Sequence, residues 1–481
     1  MTAPRGADCI MPNALSRLSG VRRSGSSHSV KELGTAPIGS LLMRYAVPAV
    51  VAMTASSLYN IVDRVFIGHI GSSGEGALAL GGLAITFPIM NLSAAFGAMI
   101  GVGGSTLMSV KLGQKDYATA KRVLGNIVVL NIAIGVVLGA LGILCINPLL
   151  RFFGASAQTM PYARDYMFVI LLGNAVTHLY LGMNSVLRST GHPTTAMIST
   201  VATVLLNSVL DPVFIFTFRM GILGAATATV LAQLLALLFV LWVLSRPGEP
   251  IRLERGIYGL RKRIVRNILA IGISPCLMQL CGCIVVILIN KGLTRHGGDL
   301  AIAAYGIINA VTFLFVMITM GICQGMQPIA GYNFGAGQYD RVKSVLWKSV
   351  WLATSVMTLS WVVCEFVPEW PVRLFTRDEA LTGLCVVGMR IVVLIDPLVG
   401  FQIVVGNFFQ SIGMARKSIF LSLSRQLIFL VPFLLVFPQL WGTNGVWWSI
   451  VGADSATVIT SAIMYWQFQK KGEKAWKSDI K

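Results

Sequence analysis

The sequence predicts an all-α polytopic membrane protein, with twelve transmembrane helices in two pseudo-symmetric six-helix lobes. Three observations carry this. Only 12% of the 481 residues are charged, about half the ~25% usual in soluble domains, and the mean hydropathy is +0.75. The apolar residues gather into about twelve blocks, each close to the ~20 residues a helix needs to cross hydrocarbon. The period-2 alternation of barrel strands is absent from them. Finally, motifs of the first half recur in the second at one constant offset.

Taken in order, residues 1–38 are rich in Ser, Arg and Gly and read as a disordered cytoplasmic extension. They show no n-region followed by a cleavable apolar stretch, so no signal peptide is expected, and Met11 offers a second possible start. Helices 1 to 6 centre near Val51, Ile89, Ile134, Asn174, Val204 and Leu234 and make an N-lobe over residues 39–244. A basic cytoplasmic linker spans 245–265. Helices 7 to 12 centre near Leu280, Val311, Val356, Val393, Ile428 and Ile459 and make a C-lobe over 266–468, followed by a tail, 469–481.

The net charge of +19 sits in the connections, which argues against a nucleic-acid surface. Sorted by loop parity, 28 of the 38 Lys and Arg fall on the side shared by both termini, 9 fall opposite, and Arg425 lies inside helix 11. By the positive-inside rule both termini are cytoplasmic, and the chain is a multi-pass protein of the cytoplasmic membrane. The eight cysteines show no disulfide framework. Cys281 and Cys283 are too close, and in too apolar a setting, to suggest a metal site, so small core residues are the expected role.

The repeat is read from two loops. "KLGQKDYATAKRVL" at 111–124 matches "NFGAGQYDRVKSVL" at 333–346, and "RSTGHPTTAM" at 188–197 matches "QSIGMARKSI" at 410–419, both offset by 222. Six helices is an even number, so both halves enter the membrane in the same direction. Such a parallel repeat encloses a midplane cavity that rocking of the lobes exposes to alternate sides.

No GxxxxGK[ST] phosphate loop and no HExxH is present. The chain is therefore read as a non-enzyme without cofactor, and any work it does must be driven by an ion gradient, H⁺ or Na⁺. That requires an intramembrane cation site. "LLNSVLDPVFIF" in helix 5 supplies one, because a carboxylate at mid-membrane costs ~2.5–3.5 kcal/mol on insertion scales and is rare unless used or paired. Asn207 shares a helix face with Asp211, and Pro212 frees a carbonyl near Ser208. Helix 1 adds Asn60 and Asp63, and helix 6 adds Thr227 and Thr229. The same oxygen-rich set suits Na⁺ at Asp63, Asn207 and Asp211. For Asp63, an interfacial ion pair with Arg64 is the competing reading. His178 is read as a packed or interfacial histidine. In the C-lobe, Gln279, Gln324, Gln327, Gln402, Asn407, Gln410 and Asp396 either line a substrate cavity or glue helices together.

Several motifs occur in family-like order: the proline of "RYAVPAV", "VDRVFIGHIG", "KLGQKDYATAKR", "LRSTGHP" and "LNSVLDP". From about residue 40 to 468 the chain resembles the multidrug and toxic compound extrusion (MATE) family. The resemblance implies twelve helices in two lobes and export of cationic, amphipathic drugs or toxins in exchange for H⁺ or Na⁺. It also implies an N-lobe cation site of Asp63, Asn207, Asp211 and, on helix 6, Thr229. Some relatives carry an acid after the helix-7 proline. Here "PCLMQLCGCIVV" has Gln279 and no acid, so coupling is assigned to the N-lobe.

The function expected is thus a secondary multidrug antiporter working by alternating access as a monomer, with membrane lipid and small-molecule cations as its partners and no nucleic acid. One rival is a lipid-linked oligosaccharide flippase of the same superfamily, which would want a cationic cavity. Another is a major-facilitator transporter, whose Asp-Arg-x-Gly-Arg-Arg-like loop after helix 2 is absent. A receptor or membrane enzyme would need neither the duplication nor a midplane carboxylate.

Overall fold

The structure is a computed structural model that describes residues 27–71, 75–247 and 249–479, without the side chains of 59–61 and 471–479. Cys9 and Met11 lie outside the described residues. Among those described, all regular elements are helical. Eight helices are long and apolar enough to cross a membrane, and two bent pairs add two spans. Two of the eight, Lys262–Gly335 and Ala415–Lys470, each turn back on themselves at a glycine with positive φ, Gly298 (φ 64°) and Gly442 (φ 57°). A side chain with a Cβ is strained there, which is why glycine holds both hairpins. Counting each as two spans gives twelve.

Helix 1 is Ile38–Gly68, helix 2 Glu75–Gly113, helix 3 Tyr117–Leu144, helix 5 Pro193–Thr217 and helix 6 Ile222–Leu244. Helices 7 and 8 are the arms of Lys262–Gly335, helix 9 is Tyr339–Phe366, and helices 11 and 12 are the arms of Ala415–Lys470. Helix 4 (Met160–Leu172 with Asn174–Ser189) is bent by 55°, and helix 10 (Glu379–Val393 with Asp396–Ser411) by 54°. The bends fall at repeat-related positions, since Asn174 and Asp396 are 222 residues apart and each opens the second arm. Both apolar blocks read as continuous in the sequence. Gly173 interrupts the first, and residues 394–395 interrupt the second, directly before Asp396, with Pro397 in the first turn of the new arm where its missing N–H has no intrahelical partner to lose.

The duplication is visible in the backbone. Lys115 (φ 59°) and Gly337 (φ 70°) make the same left-handed turn after helices 2 and 8. Asp116 then caps helix 3 by accepting from the Thr119 N–H at 3.0 Å, and this bond with Thr119 holds its carboxyl below the usual range. Part of the stretch expected to be disordered is ordered: Ser27–Thr35 is a short helix. Arg341 holds its end by donating to the carbonyls of Leu33 (3.2 Å) and Ala36 (2.7 Å). A tertiary contact from helix 9, more than 300 residues away in sequence, supplies order that local composition does not.

Each lobe has its own core at one end, and the two share a core at the other. Ile67, Leu83, Tyr166 and Ile215 pack within the N-lobe. Ile289, Ile308, Met389 and Trp447 pack within the C-lobe. Leu41, Ile100, Ile268, Ile322 and Phe408 form one cluster that crosses between lobes at the end bearing the basic loops. The crossing is built from glycines against backbone. Gly325 of helix 8 meets Ala46 of helix 1, and Gly103 of helix 2 meets Ile268 and Gly272 of helix 7. Both partners of the first contact are 222 residues from their counterparts in the second, so a pseudo-two-fold runs through the seam. The lobes are therefore clamped on the basic side and part on the other. A Cβ on Gly325 would lie 2.6 Å from Ala46 Cα, inside contact distance. Gly325→Val is expected to prise this side open, lengthening the distance between spin labels on the basic-side ends of helices 2 and 8. An unchanged distance would show that the seam does not hold the state.

Candidate functional site

Helix 1 touches the C-lobe through Ala46, Val50 and Met53. Asp63 lies ten residues further along, about 15 Å at 1.5 Å per residue, beyond the shared core and inside the N-lobe. Asp211 is reached from the other direction, near the end of helix 5. Both are buried, Asp63 at 6% exposure and Asp211 at 0%, as are Asn207 (2%) and Thr229 (8%). Helix 5 packs on helices 1 and 6, and helix 4 packs on helix 6, so four helices enclose the site.

The local chemistry follows from helix 5. Asn207 donates its amide N–H to Asp211 Oδ1 at 2.7 Å, the one-turn pairing read from the sequence. Pro212 removes the next N–H and loosens the turn before it. Directly after it the helix widens, with the Phe218 N–H donating to the Val213 carbonyl five residues back at 2.9 Å. Such single wide turns recur at functional sites. Asp211 Oδ2 and Asp63 Oδ1 are buried without a hydrogen-bond partner among the described residues. Buried polar atoms are nearly always satisfied, so these two carboxylate oxygens are open to a partner that the described protein groups do not supply.

Asp63 and Asp211 lie within electrostatic reach of one another, and the buried phenol of Tyr166 on helix 4 is within reach of both. Tyr166 was not singled out from the sequence. Its neighbour Asp165 and the nearby Arg164 make the stretch look like a helix end at the interface. Asp63 makes no ion pair with Arg64, which is exposed and sits over the Phe87 ring at 5.7 Å. The interfacial reading of Asp63 therefore loses its geometry.

Thr229 is buried and bonds the Ala225 carbonyl of its own helix at 3.0 Å. Thr227, two residues away and so on a different face, bonds Leu223 O at 2.8 Å and is less buried. The side chain of Asn60 lies outside the described residues. His178 is wholly buried, its Nε2 3.1 Å from Ser93 Oγ, and Ser93 donates to Asn174 Oδ1 at 2.8 Å.

The C-lobe residues do not gather in one place. Gln324 and Gln327 face the seam: Gln327 Nε2 donates to Thr106 Oγ1 at 2.7 Å and Ser105 Oγ at 3.2 Å, and Gln324 Nε2 reaches Met53 Sδ at 3.2 Å. Gln279 is exposed, while Gln402 and Gln410 are buried. Asn407 bonds Ile403 O of its own helix at 2.9 Å. Asp396 sits at the helix-10 bend and accepts from Ser360 Oγ at 2.9 Å. Near it, Arg425 is engaged by Asp454 through two bonds, the shorter 2.5 Å, a pair the sequence did not suggest. This pairing leaves the one deep helix-11 cation neutralised, which weighs against a cavity for pyrophosphate. Among the described residues no three His, Cys, Asp or Glu come together as a metal-binding group.

Comparison with known proteins bears on the family and the fold. The MatE family pattern matches residues 48–213 and 270–436, one stretch in each half. The multidrug export protein MepA of Staphylococcus aureus is 26% identical over 429 residues, 89% of this chain and 93% of that protein. The solved outward-facing structure of a multidrug resistance MATE transporter of the MOP superfamily superposes with a TM-score of 0.85 at 24% identity, covering 93% of this chain and 99% of that one. A MOP-superfamily transporter from Pyrococcus furiosus, whose binding pocket is described as reversed in polarity, gives 0.84 at 24% identity over 94% and 99%.

If the orphaned oxygens serve a ligand and not the fold, removing their charge costs no stability. Replacing a buried, under-satisfied charge is often neutral or stabilising. Asp63→Asn and Asp211→Asn are expected to melt in detergent at the wild-type temperature or above. A fall of several degrees in either would mark that carboxylate as structural.

Proposed function

Since the chain belongs to the MatE family, whose members are transporters and not enzymes, we propose that it exports cationic, amphipathic small molecules across the cytoplasmic membrane in exchange for H⁺ or Na⁺. The observation that carries this is the pair of buried carboxylates, each with an oxygen lacking a hydrogen-bond partner, inside one lobe. An ionised carboxylate in an apolar interior is costly unless neutralised. A proton or a sodium ion does this equally well in kind. Asn207, Thr229 and the Tyr166 phenol are the neutral oxygens at hand.

The cycle follows from the seam. With the basic side clamped, the N-lobe carboxylates face the side where the lobes part and take up a cation. Loading favours release of the drug outward and return of the empty cavity. When the lobes clamp on the other side, the cation leaves to the cytoplasm, where its concentration is lower, and the next drug enters. Coupling requires only that the two loads differ in affinity for the two states. The charge asymmetry of the loops supports cytoplasmic termini, on the side of the clamped seam. The relatives named for multidrug export support the substrate class.

Reconstitution with separately imposed pH and sodium gradients tests this reading and identifies the ion. Wild-type protein is expected to drive ethidium export with one of the two gradients. Asp211→Asn is expected to reach the membrane in normal amount yet lose gradient-driven export by about a hundredfold or more, since removing a fully used buried charge interaction costs several kcal/mol. Wild-type-like export by that variant would remove Asp211 from the mechanism.

A further inference from the structure

At the clamped end of the seam lies a second polar site of opposite character. Ser105 and Ser109 of helix 2, Ser185 and Arg188 of helix 4, and Gln324 and Gln327 of helix 8 line a small recess of about 10 Å³, room for roughly one water. Helices 2 and 4 belong to the N-lobe and helix 8 to the C-lobe, so the recess straddles the surfaces that separate when the lobes rock. Its lining is rich in donors. Arg188 donates Nη1 to Asn184 Oδ1 at 2.5 Å and Nη2 to Ser185 Oγ at 3.0 Å. Among the described residues no carboxylate lies within ion-pair distance of it. A guanidinium carries five N–H donors, so this one retains capacity after its two recorded bonds.

The duplication supplies a neutral counterpart to this charge. The position related to Arg188 by the 222-residue offset is Gln410, buried and neutral, and helix 10 ends in the same kind of turn. The seam itself pairs repeat mates, Ser105 with Gln327, across the pseudo-two-fold. Symmetry is thus kept in the neutral contacts and broken by one cation. A partly buried guanidinium held by neutral oxygens, with hydroxyls and an amide beside it, is the donor set that binds a carboxylate or another oxyanion.

We propose that Arg188, with Ser105, Ser109, Ser185 and Gln327, is the cytoplasmic-side recognition subsite for an oxyanion group of the exported molecule. The preferred substrates are then zwitterionic amphiphiles, a cationic ring system bearing a carboxylate. In the clamped state the Gln327 amide closes over Ser105 and Thr106. When the lobes part on this side, helix 8 withdraws and the guanidinium fork is offered to the cytoplasm. This inference rests on the export reading above and adds the substrate class to it.

The test uses a rhodamine dye with a free carboxylate and the methyl ester of the same dye. Binding to purified full-length protein is read by fluorescence polarisation, and export separately in proteoliposomes. Wild type is expected to bind the acid about tenfold more tightly than the ester, the worth of one charge-assisted hydrogen-bond pair. Arg188→Gln, the residue the repeat supplies, is expected to erase the preference while ester binding changes less than about twofold. Arg188→Lys is expected to retain most of the preference. Equal binding of acid and ester by wild type overturns the subsite without recourse to any variant. So does an undiminished preference in Arg188→Gln, or a loss of both dyes together, which marks Arg188 as a structural latch. Binding with the acid preference intact but no export of either dye would count against the export reading and leave the subsite standing.

Discussion

The proposed function depends on one constraint, that two carboxylates are kept away from bulk water without a full set of protein partners. Among the described residues Asp211 has Asn207 on one oxygen and no partner on the other, and Asp63 has an unpartnered oxygen of its own. The C-lobe shows the alternative solution. There Arg425 engages Asp454 and Ser360 engages Asp396, so the buried charges are met by the fold itself. Among the described residues the two carboxylates with an unpartnered buried oxygen both lie in the N-lobe, while the acids at the C-lobe bend are engaged by Ser360 and Arg425. The asymmetry arises within a duplicated architecture, and it is why the proposed coupling is assigned to the N-lobe.

The second constraint is the seam. Glycines at Gly103, Gly272, Gly321 and Gly325 let helix backbones of opposite lobes approach without intervening side chains. Small residues at helix contacts are how membrane bundles gain close packing where lipid supplies no hydrophobic drive. Such an interface is formed or broken as a unit, suiting rigid-body rocking better than local bending. The polar recess around Arg188 lies on that interface. The Asp63–Asp211 site lies away from it, buried inside the N-lobe.

Much of this was legible in the sequence, because lipid restricts the possible answers. A spanning segment must satisfy its own backbone, so long apolar blocks become helices, and twelve blocks became twelve spans. The constant 222-residue offset carried through to individual backbone turns at Lys115 and Gly337. The Asn207–Asp211 pairing followed from helical periodicity alone. What was not legible depends on contacts between distant segments. The helix-4 and helix-10 bends interrupt blocks whose hydropathy is continuous. Tyr166 joins the carboxylates from a helix end that reads as interfacial, and Arg425 finds Asp454 across a hairpin. Ser27–Thr35 is ordered by Arg341 from the far half of the chain. Gln324 and Gln327, read as either cavity lining or glue, lie on the seam because of how the lobes meet.

The central claim is that the drug and a small cation exclude one another through the N-lobe carboxylates. The most direct measurement is the release of H⁺ or Na⁺ when ethidium is added to purified protein in weakly buffered, low-sodium detergent solution, with an Asp63→Asn/Asp211→Asn double variant beside it. The account predicts that wild type ejects cation in proportion to ethidium bound and that the double variant binds ethidium while ejecting none. Equal ejection from both proteins, or ethidium binding to wild type with no cation released, would contradict it.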